Sequence, residues 1–450
     1  MTSTAKEWTP DSWRSKTALQ QPTWNEADIK NVFEELSSVP PLVFAGEIRS
    51  LRSSLAKAER GEGFVLQAGD CAESFDAFSA PAIREKLRVI LQMAVVLTYS
   101  SGVPTIKIGR IAGQFAKPRS EDEEVRDGVS LPSYRGDVVN DIEFNADARV
   151  PNPKRLIRGY NQSASTLNLL RAFTKGGFAD LSRVHEWNKE FVSTTEEGHR
   201  FEQIAKDITK ALDFMRACGI DLEREHQLHE VDFYTSHEGL LLDYEEALTR
   251  KDSTTGDFYD CSAHFVWIGE RTRQLNNAHV EFMRGINNPI GVKLGPGATG
   301  DDAIALCETL NPNKESGKIV LVIRAGADNI GNVAPPIMDA VSKSGHNVLW
   351  MSDPMHGNTF KHASGYKTRH FDDVLREIEG FFDACSKADV WPGGVHLELT
   401  GDDVTECLGG LDDLDDLESR YETRCDPRLN ARQGLDLAFR VSELLAARNS

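Results

Sequence analysis

The segment IGVKLGPGATGDDAIALCETL, which spans Ile290–Leu310, decides the fold of this chain. Five mostly aliphatic residues are followed by a glycine-rich turn, and Asp301–Leu310 then has the spacing of a helix. Two further apolar runs follow, IVLVI at Ile319–Ile323 and NVLWM at Asn347–Met351, and the helical pattern Val333–Ser344 separates them. Strands that alternate with helices predict parallel pairing through right-handed crossovers.

Eight such strands are predicted along the chain, which indicates an α/β fold of the (β/α)8 TIM barrel type. We therefore expect residues 1–450 to form a single barrel domain. The strand-like runs are Phe64–Gln67, Thr105–Gly109, Val231–Thr235, His264–Ile268, Ile290–Leu294, Ile319–Ile323, Asn347–Met351 and Val395–Leu399. The helical patterns are Pro81–Tyr99, Glu238–Arg250, Asp301–Leu310, Val333–Ser344, Asp372–Ala388 and Ala431–Ala447.

Two segments are expected to extend this barrel. Residues 1–60 form an N-terminal extension, and its helical pattern, Leu42–Arg60, is predicted to pack on the outside of the main domain. Residues 120–229 separate the second and third strands and are too long for one crossover. The amphipathic stretches Ala164–Phe173 and Phe201–Ala217 predict an inserted helical hairpin in this gap.

The composition excludes several classes of protein. The 450 residues carry a formal charge of −19, which argues against a nucleic-acid partner. No run approaches the roughly 18 apolar residues of a membrane span, so no membrane partner is expected. The N terminus lacks the apolar core of a signal peptide, which predicts a cytoplasmic location. Seven cysteines in so long a chain do not indicate a disulfide scaffold.

Four side chains of the types that bind metals follow, or end, predicted strands. Cys71 follows the first strand, His356 follows the seventh, Glu398 lies in the eighth, and Asp426 lies in a loop beyond it. Because parallel barrel strands present their C-terminal ends at one mouth, we expect these side chains to converge. The mixture of sulfur, nitrogen and oxygen donors suits a divalent transition metal such as Mn, Co, Fe or Zn.

A second group of residues at the strand ends is cationic. Arg110, Arg271, Lys293 and Arg324 follow or end the second, fourth, fifth and sixth strands. Arginine forks and lysine ammonium groups at one mouth suit phosphorylated or carboxylated ligands. The loop after the second strand adds three residues of the kind that hold a phosphate, namely Lys117, Arg119 and Ser120.

Each feature also has a different explanation. A single cysteine after a strand is more often a packed thiol, and a basic loop is commonly a solvated one. The loop Gly295–Gly300 matches G-x-G-x-x-G and would suit an NADP-dependent oxidoreductase, with Arg324 near the ribose phosphate. A non-catalytic barrel that regulates a partner is a third alternative. We also hypothesise that a disulfide between Cys71 and Cys425 would silence the metal site.

Motifs along nearly the whole chain, from Gln20 onward, resemble those of type II 3-deoxy-D-arabino-heptulosonate 7-phosphate (DAHP) synthases. The resemblance implies a (β/α)8 barrel and a transferase that joins phosphoenolpyruvate to erythrose 4-phosphate, releasing phosphate, in the first step of the shikimate pathway. The motifs are LQAGDCAE (Leu66–Glu73), Arg110–Ser120, SYRGD (Ser133–Asp137), WIGERTR (Trp267–Arg273), GVKLGP (Gly291–Pro296), SDPMHGNT (Ser352–Thr359), Thr400–Gly410 and CDPRLN (Cys425–Asn430).

The resemblance also implies roles for single residues. The metal, with Mn2+ or Co2+ favoured over Mg2+, Zn2+ or Fe2+, would be bound by Cys71, His356, Glu398 and Asp426. Phosphoenolpyruvate would be held by Arg110, Glu270 through its backbone, Arg271, Lys293 and Arg324, and erythrose 4-phosphate by Lys117, Arg119 and Ser120. The residues expected to take part in catalysis are Arg110, Lys117, Glu270 and Lys293.

The implied reaction leaves one step open, and the sequence differs from the family at several positions. The metal would polarise the aldehyde, C3 of phosphoenolpyruvate would attack it, and water would add at C2. A metal-bound water and a water held by Glu270 are both candidates for this addition. Ala68 and Ala325 replace residues common in the family, and the loop Asp328–Val333 lacks its usual basic residues.

The regulation and assembly implied by the family stay open at this point. The N-terminal segment is shorter than in actinobacterial relatives, which leaves open whether their allosteric feedback inhibition and tetramer are shared. We expect a homo-oligomer, either a dimer or a tetramer, with chorismate mutase as a candidate partner. Supply of aromatic amino acids and supply of a phenazine-type secondary pathway both remain alternatives.

Overall fold

The computed structural model describes residues 7–187, 195–219, 221, 230–410 and 416–449. Parallel strands close a barrel in which consecutive strands, counted along the chain, are neighbours, so the predicted TIM barrel is confirmed. The barrel strands are β1 (Phe64–Gly69), β2 (Thr105–Arg110), β3 (Phe233–Glu238), β4 (Phe265–Ile268), β5 (Ile290–Leu294), β6 (Ile319–Ile323), β7 (Leu349–Ser352) and β8 (Pro392–Glu398).

The helices between these strands cover the outside of the barrel, as expected from their apolar faces. No described helix is long and apolar enough to cross a membrane. The helices are α1 (Glu26–Ser38), α2 (Ala45–Glu59), α3 (Ala80–Ser101), α4 (Ala146–Arg149), α5 (Lys154–Lys175), α6 (Glu196–Ala217), α7 (Leu242–Leu248), α8 (Ala278–Met283), α9 (Gly300–Leu310), α10 (Ile330–Ser344), α11 (Phe371–Lys387) and α12 (Ala431–Asn449).

The position predicted for helix α2 was wrong. Its Leu51, Leu55 and Ala58 are fully buried in one cluster with side chains of the barrel interior, such as Val65 and Ile106. The helix therefore closes the N-terminal end of the barrel rather than packing on its outside. The apolar spacing that predicted the helix carries no information about which apolar surface it covers.

The predicted helix Glu238–Arg250 was too long at both ends. Glu238 is the last residue of β3, and the helix spans only Leu242–Leu248. The following residues, Thr249–Lys251, pair antiparallel with Phe258–Asp260. Pairing with a neighbouring strand overrode a helical pattern that a single sequence cannot test against its partners.

The segment between β2 and β3 contains the predicted helices within the longer α5 and α6, and both pack against α3. It also contains a β-hairpin, Glu123–Arg126 paired with Val129–Pro132, which the sequence analysis did not predict. Residues 188–194, 220 and 222–229 of this insertion lie outside the described residues. The insertion thus adds both helices and a short hairpin next to the C-terminal mouth of the barrel.

Candidate active site

A cavity of about 590 Å³ opens at the C-terminal ends of the barrel strands. It brings together nearly all of the predicted site residues, and the remaining one, Glu398, is fully buried beside it. Convergence at this mouth was the central expectation from strand order, and the structure agrees with it. The predicted residues that line the cavity are Cys71, Arg110, Lys117, Arg119, Ser120, Glu270, Arg271, Lys293, Arg324, His356 and Asp426.

The four predicted metal ligands form one compact cluster. The ligand atoms of Cys71, Glu398 and Asp426 all lie within 4.8 Å of one another. His356 joins them, because its Nε2 lies 3.1 Å from Oε1 of Glu398. Its other ring nitrogen, Nδ1, lies 2.8 Å from a carboxylate oxygen of Asp353, the kind of contact that orients histidine ligands in metal sites.

The same donor set already holds a positive charge. The ammonium of Lys117 donates to Sγ of Cys71 at 2.6 Å and lies 2.6 Å from Oδ2 of Asp426 and 3.5 Å from Oε1 of Glu398. One thiol, one imidazole and two carboxylates arranged to surround a cation fit a divalent transition metal. We therefore regard the residues as suited to the metal that the donor types predict.

Burial and charge act in opposite directions on the acids of this cluster. Burial alone would raise the pKa of Glu398, but the positive charges of His356, Lys117 and Arg369 hold it well below its usual range. For Asp426, burial is likewise outweighed, above all by Lys117, and the pKa is strongly lowered. Both carboxylates are therefore ionised over the whole range in which the protein is expected to work.

The thiol of Cys71 behaves differently from these acids. Burial, a hydrogen bond with the thiol of Cys425 and the negative charge of Glu398 raise its pKa well above the usual value. Cys71 and Cys425 are both free thiols in direct contact. The disulfide between them stays a prediction, and its two partners are adjacent.

The predicted cations line the same cavity, directly beside the ligand cluster. Arg110 donates from Nη2 to Oε1 of Glu398 at 3.1 Å and lies 5.2 Å from the centre of the Trp267 ring. Lys293 pairs with Asp353, yet burial is the larger effect and lowers the pKa of Lys293 to about 8. Arg324 donates to the carbonyl of His356 at 3.3 Å, and its buried Nε has no partner among the described residues.

The loop after β2 carries its predicted residues to the rim of the same cavity. Ser120 accepts a hydrogen bond from Arg271 at 2.6 Å, so two of the predicted substrate contacts already touch. Arg119 pairs with Glu124 of the inserted hairpin at 3.3 Å. Its backbone amide donates to the side chain of Gln20 at 2.8 Å, so the N-terminal extension fastens this loop.

The carboxylate of Glu270 is held by hydrogen bonds on both oxygens. Arg273 donates to the two oxygens at 2.9 and 3.0 Å, and the backbone amide of Gly295 donates to one of them at 2.6 Å. The first amide of the Gly295–Gly300 loop is thereby occupied. This loop joins β5 to α9 within a closed barrel, so the fold does not support the alternative of a dinucleotide-binding crossover.

The cavity is also lined by Glu238 and by a small hairpin, for which no role was predicted from the sequence. Glu238 lines the cavity, and its buried Oε1 has no partner among the described residues. Burial raises its pKa, although the charges of Lys117 and Lys293 oppose this. The hairpin Phe360–Lys361 with Lys367–Thr368 adds two lysines to the rim. Position at the end of β3 was the one sequence signal for Glu238.

Comparison with known proteins relates nearly the whole chain to one family. The profile described as the Class-II DAHP synthetase family matches residues 8–442. A phospho-2-dehydro-3-deoxyheptonate aldolase of Streptomyces coelicolor is 55% identical over 437 residues, with 96% of each chain covered. The aldolase AroG of Mycolicibacterium smegmatis is 48% identical over 442 residues, covering 97% of this chain and 94% of the relative.

A solved structure of phospho-2-dehydro-3-deoxyheptonate aldolase from Francisella tularensis SCHU S4 is 14% identical, with a TM-score of 0.47, and the match covers 97% of this chain and 99% of that one. The family match, which spans residues 8–442, and the two relatives at 48% and 55% identity identify this chain as a member of the Class-II DAHP synthetase family.

Proposed function

We propose that this chain condenses phosphoenolpyruvate with D-erythrose 4-phosphate to give DAHP and phosphate, the first step of the shikimate pathway. One observation supports this above all others. A cavity of about 590 Å³ holds a mixed metal-donor cluster with cations directly beside it. Two anionic substrates, one of which carries an aldehyde, match these two groups of side chains.

The cationic residues of the cavity are proposed to bind phosphoenolpyruvate. Arg110, Lys293 and Arg324 surround the floor of the cavity, and Arg271 lies at its rim with the backbone of Glu270. Phosphoenolpyruvate carries a phosphate and a carboxylate, and forked guanidinium groups bind such oxygens in pairs. The Nε of Arg324, which has no partner among the residues that the structure describes, offers one of these donors, and burial of this atom makes its contact stronger than it would be in water.

The loop after β2, together with the ligand cluster, is proposed to bind erythrose 4-phosphate. Arg119 and Ser120 would contact its phosphate, and Lys117 would lie near its aldehyde end, beside the metal ligands Cys71 and Asp426. Cys71, Asp426, His356 and Glu398 would hold a divalent metal, Mn2+ or Co2+ by preference, which when bound would supply Lewis-acid polarisation of the aldehyde.

Glu238 is our candidate for the carboxylate that orients the water added at C2. Its Oε1 is buried and has no partner in the described part of the chain, and burial raises its pKa, which is the environment expected of a general base. The side chain of Glu270 is less suited, because Arg273 and Gly295 already engage both of its oxygens. In this proposal Glu270 acts through its backbone.

Phosphate release tests the reaction directly. Protein stripped of metal, then supplied with Mn2+ or Co2+ and both substrates, is expected to release phosphate and to consume phosphoenolpyruvate. Chelator and Cys71→Ser should each abolish most of the activity. Absence of phosphate release with either metal would contradict the synthase assignment, and a nicotinamide-dependent absorbance change would instead favour an oxidoreductase.

We further propose that residues 1–450 act as one barrel domain, with 1–60 and 120–229 as accessory segments, in a cytoplasmic homo-oligomer. Exposed apolar side chains on the insertion, including Val125, Val129 and Phe214, support a subunit contact there. Light scattering would measure the mass, and a dimer or tetramer is expected. Chorismate mutase as a partner and feedback inhibition remain proposals from the family resemblance.

A further inference from the structure

Arg369 lies beside the ligand cluster, at the end of the hairpin that forms part of the cavity rim, and its side chain is completely buried. It was not among the residues selected from the sequence, because it follows no barrel strand. A buried guanidinium needs several acceptors, and those of Arg369 belong to three separate segments of the chain.

Three of the acceptors of Arg369 lie at or next to a proposed metal ligand. Its Nη2 donates to Oε2 of Glu398 at 2.7 Å. Its Nη1 donates to the carbonyl of Pro427, the residue after Asp426. Its Nε donates at 2.6 Å to the carbonyl of Met355, the residue before His356, and at 2.9 Å to Oγ1 of Thr359.

We propose that Arg369 is a positioning residue for the metal site, which fixes the Glu398 carboxylate and the backbone beside His356 and Asp426 relative to one another. This inference rests on the proposed function, because it takes those three residues as ligands. The planar guanidinium has donors in fixed directions, so one side chain sets three positions at once. Lysine, with a single ammonium, cannot span the same three acceptors.

The contact with Glu398 also selects which of its oxygens faces the cluster. Oε2 is engaged by Arg369, whereas Oε1 lies 3.1 Å from Nε2 of His356. The carboxylate is thus held with one oxygen toward the other ligands. Such outer contacts orient metal ligands and commonly contribute as much to the site as a weak ligand does.

Stability alone does not account for this arrangement. A buried ion pair is often no more stabilising than a well-packed apolar substitute of similar volume, because both charges lose their hydration. Arg369 and Glu398 are both 0% exposed. The retained pair, together with donations to the backbone of Met355 and Pro427 beside two ligands, fits a positioning role for the neighbouring site.

The test compares Arg369→Lys with a matched control in the full-length, metal-free protein. Titration calorimetry with Mn2+ should show roughly 10- to 100-fold weaker binding for Arg369→Lys. This range is typical when a residue that hydrogen-bonds to a metal ligand is replaced. Arg149 is the control, since it is also fully buried and donates to the carbonyls of Glu143, Pro132 and Ile142 and to Glu124. Arg149→Lys should cost stability yet leave Mn2+ affinity unchanged.

A spectroscopic measurement separates positioning from general loosening. Co2+ bound through Cys71 gives a thiolate-to-metal charge-transfer band, and Arg369→Lys should shift or weaken it whereas Arg149→Lys should not. If Arg369→Lys does not fold, Thr359→Val removes one acceptor at nearly constant volume, and its Mn2+ affinity should fall in the same direction. Wild-type affinity and an unchanged band in whichever variant folds would overturn the proposal.

The outcome can be distinguished from failure of the metal site itself. Cys71→Ser is titrated in parallel. If Cys71→Ser binds Mn2+ as the wild type does, the assignment of the ligands is wrong. If Cys71→Ser binds weakly and Arg369→Lys binds normally, the site stands and only the role of Arg369 is refuted.

Discussion

Lys117 shows how one side chain sets the electrostatics of the site. Its ammonium contacts Cys71, Glu398 and Asp426, and the negative charges of Asp426 and Glu398 raise the pKa of Lys117 well above the usual value although burial opposes this. The lysine and the two acids therefore stay charged together over a wide range of pH. A cluster held in this form is ready to bind a cation without first releasing protons from its carboxylates.

Glu238 offers a direct test of the proposed general base. Glu238→Gln keeps the size of the side chain but removes its basicity, so kcat should fall by about 10²- to 10⁴-fold. The affinity for Mn2+ should be unchanged, because Glu238 is not among the ligands. Steady-state kinetics of phosphate release would measure this, with Glu270→Gln as the comparison, and a kcat near that of the wild type would remove Glu238 from the mechanism.

Lys293 should give the reaction an alkaline limit. Burial lowers its pKa to about 8, so the ammonium that would bind phosphoenolpyruvate is lost as pH rises through that value. The ratio kcat/KM for phosphoenolpyruvate, which reports groups of the free enzyme, should therefore decline above about pH 8. In Lys293→Arg the cation does not titrate, and the decline near this pH should disappear even if the overall rate is lower.

Deprotonation of Lys293 should lower the activity but increase the stability of the folded protein. The lysine pKa is depressed in the folded protein, so between about pH 8 and its ordinary value of 10.5 the unfolded chain binds more protons. The free energy of unfolding contributed by Lys293 therefore rises with pH across that window. A fall of activity together with a gain of stability above pH 8 would identify deprotonation rather than unfolding as its cause.

The candidate ligands could be predicted from the sequence because strand ends converge by topology alone. Cys71 and His356 needed only the strand order to be placed at one mouth. The insertion of Lys117 among the ligands, and the unpaired Oε1 of Glu238, depend on side-chain directions and on burial. Neither quantity is encoded in spacing along the chain, so the structure was required to find them.

The side chains that point into the barrel change from apolar to charged along the length of the strands. Successive inward positions, two residues apart, run from apolar at one end to charged at the other, as in Ile106, Ile108 and Arg110 of β2. In β4 the buried Phe265 and Trp267 lead to the cavity at Gly269. The apolar end packs against α2, and the charged end forms the floor of the active site.

Helix α2 should therefore be important for stability and distant from the chemistry. Leu55→Ala removes a fully buried side chain from the cluster that closes the barrel, and such changes typically cost about 2 to 5 kcal/mol of unfolding free energy. Leu275 is 40% exposed, and Leu275→Ala should change stability by less than about 0.5 kcal/mol. Denaturant unfolding of both variants measures the difference.

Enzyme kinetics of Leu55→Ala and Leu275→Ala test whether α2 affects substrate binding as well as stability. If α2 only closes the barrel, KM for both substrates should stay near the wild-type value in Leu55→Ala below its unfolding temperature. If Leu55→Ala is as stable as the wild type, the neighbouring side chains have closed the space that Leu55 left. The inference that this buried side chain is important for stability would then be wrong.

Elements with a strong periodic pattern were predicted correctly, whereas those formed by local pairing were not. The strands β5 and β6 were placed with their observed ends, because both are short, fully buried and bounded by turn residues. The hairpin Glu123–Arg126 with Val129–Pro132 is largely exposed and mixes polar with apolar residues, so it shows no alternating pattern of a buried face. Its formation depends on a turn and on cross-strand hydrogen bonds rather than on burial.

The barrel divides its mouth between the two halves of the chemistry. β7, β8 and β1 are consecutive neighbours, and with the segment before α12 they carry all four proposed ligands. β2, β4, β5 and β6 carry the proposed phosphoenolpyruvate contacts on the other side. The loop after β2, with Lys117 beside the ligands and Ser120 beside Arg271, connects these two arcs of the barrel. Two substrates bound to them would therefore lie next to each other, which is the geometry that a condensation requires.

Because the ligands come from separate segments, metal binding should stabilise the folded protein. A ligand that binds only the native state adds RT ln(1 + [L]/Kd), or about 2.7 kcal/mol at a hundred times Kd. Addition of Mn2+ to the metal-free protein should therefore raise its unfolding temperature in a concentration-dependent way. Cys71→Ser should lose most of this response. Cys307 is also fully buried but lies in α9, so Cys307→Ser should keep the response, and a loss in both variants would contradict the assignment of Cys71.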